Sequence, residues 1–406
     1  MMAQIQKGIA HGTVRIPASK SIAHRSLICA ALADGKTLLS PLDSNRDVSA
    51  TLGGLSALGA GIHLQGQTAE ITGISKAVAA ARLDCGESGS TLRFLLPVSL
   101  RFGGDFTFTG AERLFERPLS IYREICRNQG ISFREAPDHL SVSGQLRPGE
   151  FAFPGDISSQ FLTGLFFALP FLKGDSSLTL TTPLQSQSYV QLTLEALKRF
   201  GVSVTVLDSR HYRIRGNQRA VSPKALSIPG DQSSAAFFAA LNTLGGRVAL
   251  TGLSDRDAQG DRVYAEQFPL LCRGCPTLDL SDCPDLAPIL MALGALHHGV
   301  HLTKTSRLRL KESDRGQVMA EELRKFGVAV TVRQDEIFVS GGVHCPTEAL
   351  CSHNDHRIAM SLAVVCTVTG GTILGAECVA KSLPSFWENL SALSIPVRLL
   401  QEEEIS

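Results

Sequence analysis

Six times along the chain a short polar turn led by Gly or Pro, or by Asn in the last case, runs directly into an apolar, helix-like stretch. The six are Pro17-Ala-Ser-Lys20-Ser21, Gly86-Glu-Ser-Gly89-Ser90, Gly155-Asp-Ile-Ser158-Ser159, Gly230-Asp-Gln-Ser233-Ser234, Pro284-Asp285-Leu-Ala and Asn354-Asp355-His-Arg357. Each offers small, hydroxyl or acidic residues where a helix N-terminus needs caps and where backbone N–H groups can hold an anion. One such turn marks a helix start. Six of them, beginning at 17, 86, 155, 230, 284 and 354, mark a unit of about seventy residues repeated along the chain.

The intervals are 69, 69, 75, 54 and 70 residues, and most contain a second helix-like segment that closes on a Gly-hydrophobic step. Examples are Gly61-Ile62, Gly130-Ile131, Gly201-Val202 and Gly327-Val328, with Gly274-Cys275 a looser case. Glycine there is the expected helix stop, and the runs Val202 to Val206 and Val328 to Val332 alternate as strands. The last copy, near Ser391 to Val397, lacks that glycine. The fourth interval is the short one and leaves no room for a hairpin before Pro284. Two extended tripeptides, Arg15-Ile16-Pro17 and Ser227-Ile228-Pro229, mark a hinge, because X-Pro steps favour extended backbone. The expected division is residues 1–16 with 229–406, holding the N-terminal strand and repeats four to six, and residues 17–228, holding repeats one to three.

Lys plus Arg total 39 against 38 Asp plus Glu, so no global field draws the chain to nucleic acid or a membrane surface, and any positive site must be local. The longest apolar run, Phe161 to Leu172, is too short to span a bilayer, and the N-terminus has no signal-peptide core. A cytoplasmic protein is expected. The ten cysteines are scattered and read as reduced, mostly buried thiols. Cys272-Arg-Gly-Cys275 has a metal-like spacing, but no second pair or His cluster completes a zinc set, so no metal is assigned.

Cations cluster beside the turns: Lys20, Arg25, Arg93, Arg117, Lys311, Arg315, Arg357 and Lys381. A solvated surface explains any one of them; their recurrence at equivalent turns suits a ligand with several anionic groups, since Arg grips phosphate or carboxylate bidentately and Lys adds a movable charge. Lys311-Glu312-Ser-Asp314-Arg315 reads either as a capping run ahead of a helix from Gln317 to Phe326 or as a pair of cations with Glu312 available for proton transfer. Asp285, ahead of the apolar helix Leu286 to Leu296, is either an N-cap or a catalytic carboxylate. Ser158-Ser159-Gln160 caps a helix or binds a hydroxyl-rich ligand.

Taken together and in order, Pro17-Ala-Ser-Lys20-Ser21-x3-Arg25, Ser158-Ser159-Gln160-Phe161-Leu162-Thr163, Pro284-Asp285, Lys311-Glu312-Ser-Asp314-Arg315, Asn354-Asp355-His356-Arg357 and Lys381-Ser-Leu-Pro384 resemble the enolpyruvyl transferase family, in its shikimate-3-phosphate branch, over nearly the whole chain. The resemblance implies an α/β fold of two domains, each with three βαβαββ copies, and an active site in the interdomain cleft. It implies that Lys20, Ser21, Arg25, Ser158, Ser159, Gln160, Ser186, Asp285 and Lys311 contact shikimate-3-phosphate. It likewise assigns Lys20, Gly89, Arg117, Gln160, Arg315, Arg357 and Lys381 to phosphoenolpyruvate. Asp285 is then the expected base for the substrate hydroxyl, with Glu312 and Lys20 handling the methylene proton. Neither metal nor organic cofactor is expected, and the chain is expected to act as a monomer.

The chain departs from the family pattern at Glu87, where Asn is usual, at Arg307, a place often held by Asn, and in its shortened fourth repeat. The rival branch, acting on UDP-N-acetylglucosamine, usually carries a cysteine on the loop that here reads Gly110-Ala-Glu-Arg-Leu-Phe-Glu-Arg117-Pro, which has none. Gly35-Lys36-Thr37 looks like half a phosphate-binding P-loop, but Ala30 replaces the required first glycine. A non-catalytic anion-binding protein is the remaining alternative.

Overall fold

In the computed structural model the described residues are 1–43, 45–255 and 258–401. The chain forms two compact units, Ala18–Pro229 and Met1–Pro17 with Gly230–Ser406, each with its own apolar core. Among the described residues no helix is long and apolar enough to cross a membrane.

The unit Ala18–Pro229 contains α1 (Lys20–Leu32), α2 (Arg46–Ala57), α3 (Gly89–Phe102), α4 (Glu112–Glu116), α5 (Ser120–Gln129), α6 (Ser159–Ala168) and α7 (Gln187–Arg199). Three of the polar turns open α1, α3 and α6. These helices are buried nearly all round, polar residues such as His24, Arg25 and Arg93 included, so they lie inside the unit. Phe94 of α3 meets Phe167 of α6 edge to face at 5.7 Å. Each such buried ring contributes roughly 1.5–3 kcal/mol through burial.

The sheets share one order. In the third repeat Glu150–Phe153 runs parallel to Ser176–Leu180, His211–Ile214 returns antiparallel, and Thr205–Val206 forms the edge, with Phe151 opposite Leu178 and Leu178 opposite Tyr212. The second repeat repeats this with Ala80–Asp84, Gly104–Thr109, His139–Gly144 and Ser132–Glu135. In the first repeat the leading place is taken by Ala225–Ser227, the last strand of the unit, parallel to Lys36–Ser40.

The other unit contains α8 (Gln232–Asn242), α9 (Tyr264–Leu271), α10 (Ala287–Leu296), α11 (Arg315–Arg324), α12 (His356–Thr369) and α13 (Phe386–Ala392). The fifth repeat has the full sheet, Thr277–Asp279, Val300–Thr303, Glu336–Val339 and Val330–Val332 in that order. In the sixth, Met2–Ile5 fills the place of the returning hairpin strand, antiparallel to Gly371–Leu374 on one side and Val397–Leu400 on the other. Among the described residues the short fourth repeat has no hairpin: Arg247–Thr251 pairs in parallel with His11–Arg15 in a two-stranded sheet.

Several boundaries differ from the sequence expectation, for local reasons. The first repeat's second helix stops at Gly59, at φ 103°, and Gly61 already begins the strand Gly61–Gln65. Of the run Val202 to Val206 only Thr205–Val206 is strand, because the Val202 N–H closes the helix on the Leu197 carbonyl at 3.0 Å. Val328 does the same on Leu323 at 3.2 Å, so that strand starts at Val330. Where the last repeat lacks a glycine stop, Ser394 takes the left-handed conformation, at φ 69°. The helix after Asp314 is Arg315–Arg324, and the one after Asp285 opens as a 3-10 turn, Pro284–Leu286, before α10. Lys36-Thr37 lies in a strand, so no helix N-terminus follows the P-loop-like triplet.

Candidate active site

In Ala18–Pro229 the N-terminal turns of α1, α3 and α6 are tied together mainly by neutral polar chains. From α1, His24 Nδ1 meets Thr51 Oγ1 at 2.7 Å, and Thr51 meets Thr91 of α3 at 2.7 Å. Burial pushes the His24 imidazole down to about 3, so it is neutral near pH 7 and serves as a hydrogen-bonding spacer. From α3 to α6, Arg93 Nη1 donates to Gln160 Oε1 at 2.8 Å while Gln160 Nε2 donates to Ser90 at 3.0 Å. From α6 back to α1, Thr163 meets Thr193 at 3.0 Å and Arg25 Nε donates to Thr193 at 2.9 Å.

Arg25 is buried, donates to the Ser21 and Tyr189 carbonyls at 2.7 and 3.0 Å, and stacks 5.4 Å from the Phe94 ring centre. Burial lowers its guanidinium to about 10, still fully charged near neutrality. Lys20, the first residue of α1, pairs with Asp47 at 2.9 Å. Ser158 caps α6 by accepting from Gln160 N at 3.3 Å, so the capping reading holds for it, and Ser159 is buried in the same turn. Ser186 holds the N-cap place of α7 in the left-handed conformation, at φ 58°, and is buried.

Gly89 lies beneath two guanidiniums. A Cβ there would meet Arg117 Nη1 at 2.6 Å and Arg93 Nη1 at 2.9 Å, so only hydrogen fits without displacing them. Arg117 makes no ion pair among the described residues, and its Nε is buried without a partner. A guanidinium held against a helix N-terminus, with no protein anion among the described residues, is a ready receptor for phosphate or carboxylate.

The second unit builds its cluster from opposite charges. Asp285 pairs with Arg315 at 2.8 Å, Arg357 at 3.0 Å and Lys311 at 3.2 Å. Arg315, 1% exposed, also meets Asp355 at 2.9 Å and Glu312 at 2.7 Å. Asp285 occupies neither cap position: the N-caps of the 3-10 turn and of α10 are Cys283 and Leu286, and neither makes a side-chain cap bond. The capping role in this region falls to Asp314, which accepts from Gln317 N, and to Asp355, which accepts from Arg357 N at 2.9 Å. Lys381 donates to the Asn354 carbonyl.

Burial by itself would raise the Asp285 carboxyl, but Arg357, Lys311 and Arg315 overcome it and hold the group well below the ordinary carboxylate range. Burial lowers Lys311, with Asp285 opposing. Behind Asp285, Asp261 is buried, accepts from the Ser233 hydroxyl, and is pushed up to about 7 by burial and by the Asp285 charge.

Of the residues expected from sequence, Asp285, Glu312, Lys311, Arg315 and Arg357 are gathered in one network, and Gly89, Arg117 and Gln160 share one turn region through Arg93. Three participants carried no sequence signal as such. Asp47 sits one residue inside α2 and reads as a helix-dipole acid, Asp261 lies in the short 3-10 turn Gly260–Val263, and the His24 link depends on threonines from two other helices.

The fold is that of the enolpyruvyl transferases. The chain superposes on EPSP synthase from Acinetobacter baumannii with a TM-score of 0.77 at 25% identity, over 98% of this chain and 100% of that one. It also superposes on the enolpyruvyl transferase NikO from Streptomyces tendae, with a TM-score of 0.76 at 16% identity over 98% of each chain. The sequence narrows the class. The profile of EPSP synthase (3-phosphoshikimate 1-carboxyvinyltransferase) matches residues 6–390. The 3-phosphoshikimate 1-carboxyvinyltransferase of Clostridium kluyveri is 38% identical over 94% of this chain and 95% of its own length. That of Clostridium perfringens strain SM101 is 38% identical over 97% of each. The chain belongs to the EPSP synthase family.

Proposed function

We propose that the protein is a 3-phosphoshikimate 1-carboxyvinyltransferase of the shikimate pathway, on the route to chorismate and the aromatic amino acids. It transfers the enolpyruvyl group of phosphoenolpyruvate to the 5-hydroxyl of shikimate-3-phosphate and releases phosphate. In this reading the 5-oxygen bonds to C2 of phosphoenolpyruvate as its proton leaves and the methylene carbon takes up a proton. The resulting methyl then gives up a proton as the C2–O bond to phosphate breaks. The two substrates and transferred protons balance the reaction, with no change of oxidation state.

The observation that supports this most is Asp285, a half-buried carboxylate touching three cations. Lys20, Ser21, Arg25, Ser158, Ser159, Gln160 and Ser186, with Asp285 and Lys311, serve shikimate-3-phosphate; Gly89, Arg117, Arg315, Arg357 and Lys381, again with Lys20 and Gln160, serve phosphoenolpyruvate. Asp285 held so far below neutrality is a weak base. Substrate phosphates and carboxylates compete for Arg357, Lys311 and Arg315, and each cation they draw off raises the basicity of Asp285 at the moment the hydroxyl arrives. Glu312 and Lys20 then move the methylene proton.

The test is phosphate release. Release should require shikimate-3-phosphate and phosphoenolpyruvate together; release with UDP-N-acetylglucosamine instead would overturn the assignment, and binding of both without release would leave an anion-binding protein. The enzyme acts as a cytoplasmic monomer in this reading, and light scattering reads the mass.

A further inference from the structure

Glu322, near the C-terminal end of α11, is 1% exposed, a place where a carboxylate persists only when fully partnered. It has three partners. Oε1 meets His353 Nε2 at 2.9 Å, Oε2 accepts from Cys351 N at 2.8 Å, and Lys325 Nζ lies 3.1 Å away. Two of the three belong to the turn that leads into α12.

That turn is strained. His353 and Asn354 are consecutive non-glycine residues in the left-handed region, at φ 49° and 54°. Consecutive residues of this kind persist only where the surroundings fix them. Ser352 adds to the hold, accepting from Asn354 N at 3.3 Å and donating to the Gly375 carbonyl at 2.9 Å. The conformation sets three groups at once: the Asn354 carbonyl receives Lys381, Asp355 receives Arg315 and Ser313, and Arg357 follows in the first turn of α12.

We propose that Glu322, acting through His353, is a positioning residue that holds the 353–354 turn so that Lys381 and Arg357 are set for the anionic substrate. The inference rests on the reading of these cations as phosphoenolpyruvate contacts. Glu322 itself touches neither reacting group. A space-filling role would make any isosteric residue equivalent and affect both substrates alike. Positioning instead predicts a loss confined to the ligand those cations hold.

Three variants test it: Glu322→Ala, Glu322→Gln, which keeps one acceptor, and His353→Gly, which tolerates the left-handed backbone but lacks the imidazole. Wild-type phosphate release is measured first and decides the functional reading alone. Given release, Glu322→Ala and His353→Gly should raise KM for phosphoenolpyruvate about tenfold, with KM for shikimate-3-phosphate changed less than about twofold and Glu322→Gln largely rescued. Should the wild type release none, calorimetric affinity for inorganic phosphate is read instead, and a loss in the same two variants still supports the positioning role. Amide exchange should quicken at 351–357 in both. If Glu322→Ala fails to fold, His353→Gly and Glu322→Gln carry the test. Unchanged phosphoenolpyruvate KM or phosphate affinity, or equal rises for both substrates, overturns the proposal.

Discussion

The helix N-termini of Ala18–Pro229 and those of the second unit come from the same repeated turn, yet they are held by different forces. In the first unit His24, Thr51, Thr91, Gln160, Thr163 and Thr193 link α1, α3 and α6 mainly through hydroxyl and amide contacts, and among the described residues Arg117 has no protein anion. In the second unit Asp285, Asp355 and Glu312 neutralise Arg315, Arg357 and Lys311. The difference teaches that one motif can present a cation already open to a ligand or one that a ligand must first win from a carboxylate. The first arrangement favours capture, and the second couples capture to a change in the base.

The sharpest way to break this comparison is to remove one arginine from each unit. Arg315→Ala leaves three carboxylates with a missing partner and should lower unfolding free energy by roughly 3–5 kcal/mol in denaturant titrations. Arg117→Ala removes no protein contact of that kind, so stability should stay within about 0.5 kcal/mol while use of phosphoenolpyruvate falls. Equal stability losses in the two variants would erase the distinction. Asp285→Asn should cost about a hundredfold or more in turnover, read by phosphate release under saturation. Its acid behaviour sharpens the point. The folded Asp285 sits below its ordinary value of 3.8, so its contribution is present above that pH and lost as pH falls through the depressed value. The asparagine variant should therefore lose stability less steeply than wild type below about pH 4 in acid unfolding curves.

A smaller effect is expected at Gly89. Gly89→Ala would press a methyl against Arg117 and Arg93, and KM for phosphoenolpyruvate should rise about tenfold with little change for shikimate-3-phosphate. Smallest is Ser158→Ala, the loss of a helix cap, worth about 1 kcal/mol in thermal or denaturant unfolding. A larger stability loss there would mean that Ser158 does more in the folded protein than cap α6.

Much of this architecture is legible in the sequence because it is written in local chemistry. Gly, Pro or Asn before hydroxyl and acidic residues announces each of the six turns, and the missing residues of the fourth repeat announce its missing hairpin. Long-range pairing is not written that way. Nothing near His11–Arg15 says that it joins Arg247–Thr251, or that Met2–Ile5 completes the sixth sheet, since ladder bonds are made by backbone groups common to every residue. The site divides similarly. Arg315 and Arg357 stand out beside their turns, but whether Asp285 caps a helix or holds three cations depends on side chains 26 to 72 residues further on. Asp47 illustrates the limit most plainly, being an ordinary first-turn acid of α2 until Lys20 meets it.

The most direct measurement is the titration of the Asp285 carboxyl by carbon-13 NMR, assigned through Asp285→Asn, with and without shikimate-3-phosphate and an unreactive phosphoenolpyruvate analogue. The account predicts a value well below the ordinary carboxylate range in the protein alone and a clear rise when both ligands are bound. An ordinary value without ligands, or a depressed one that ligands leave unmoved, would contradict it.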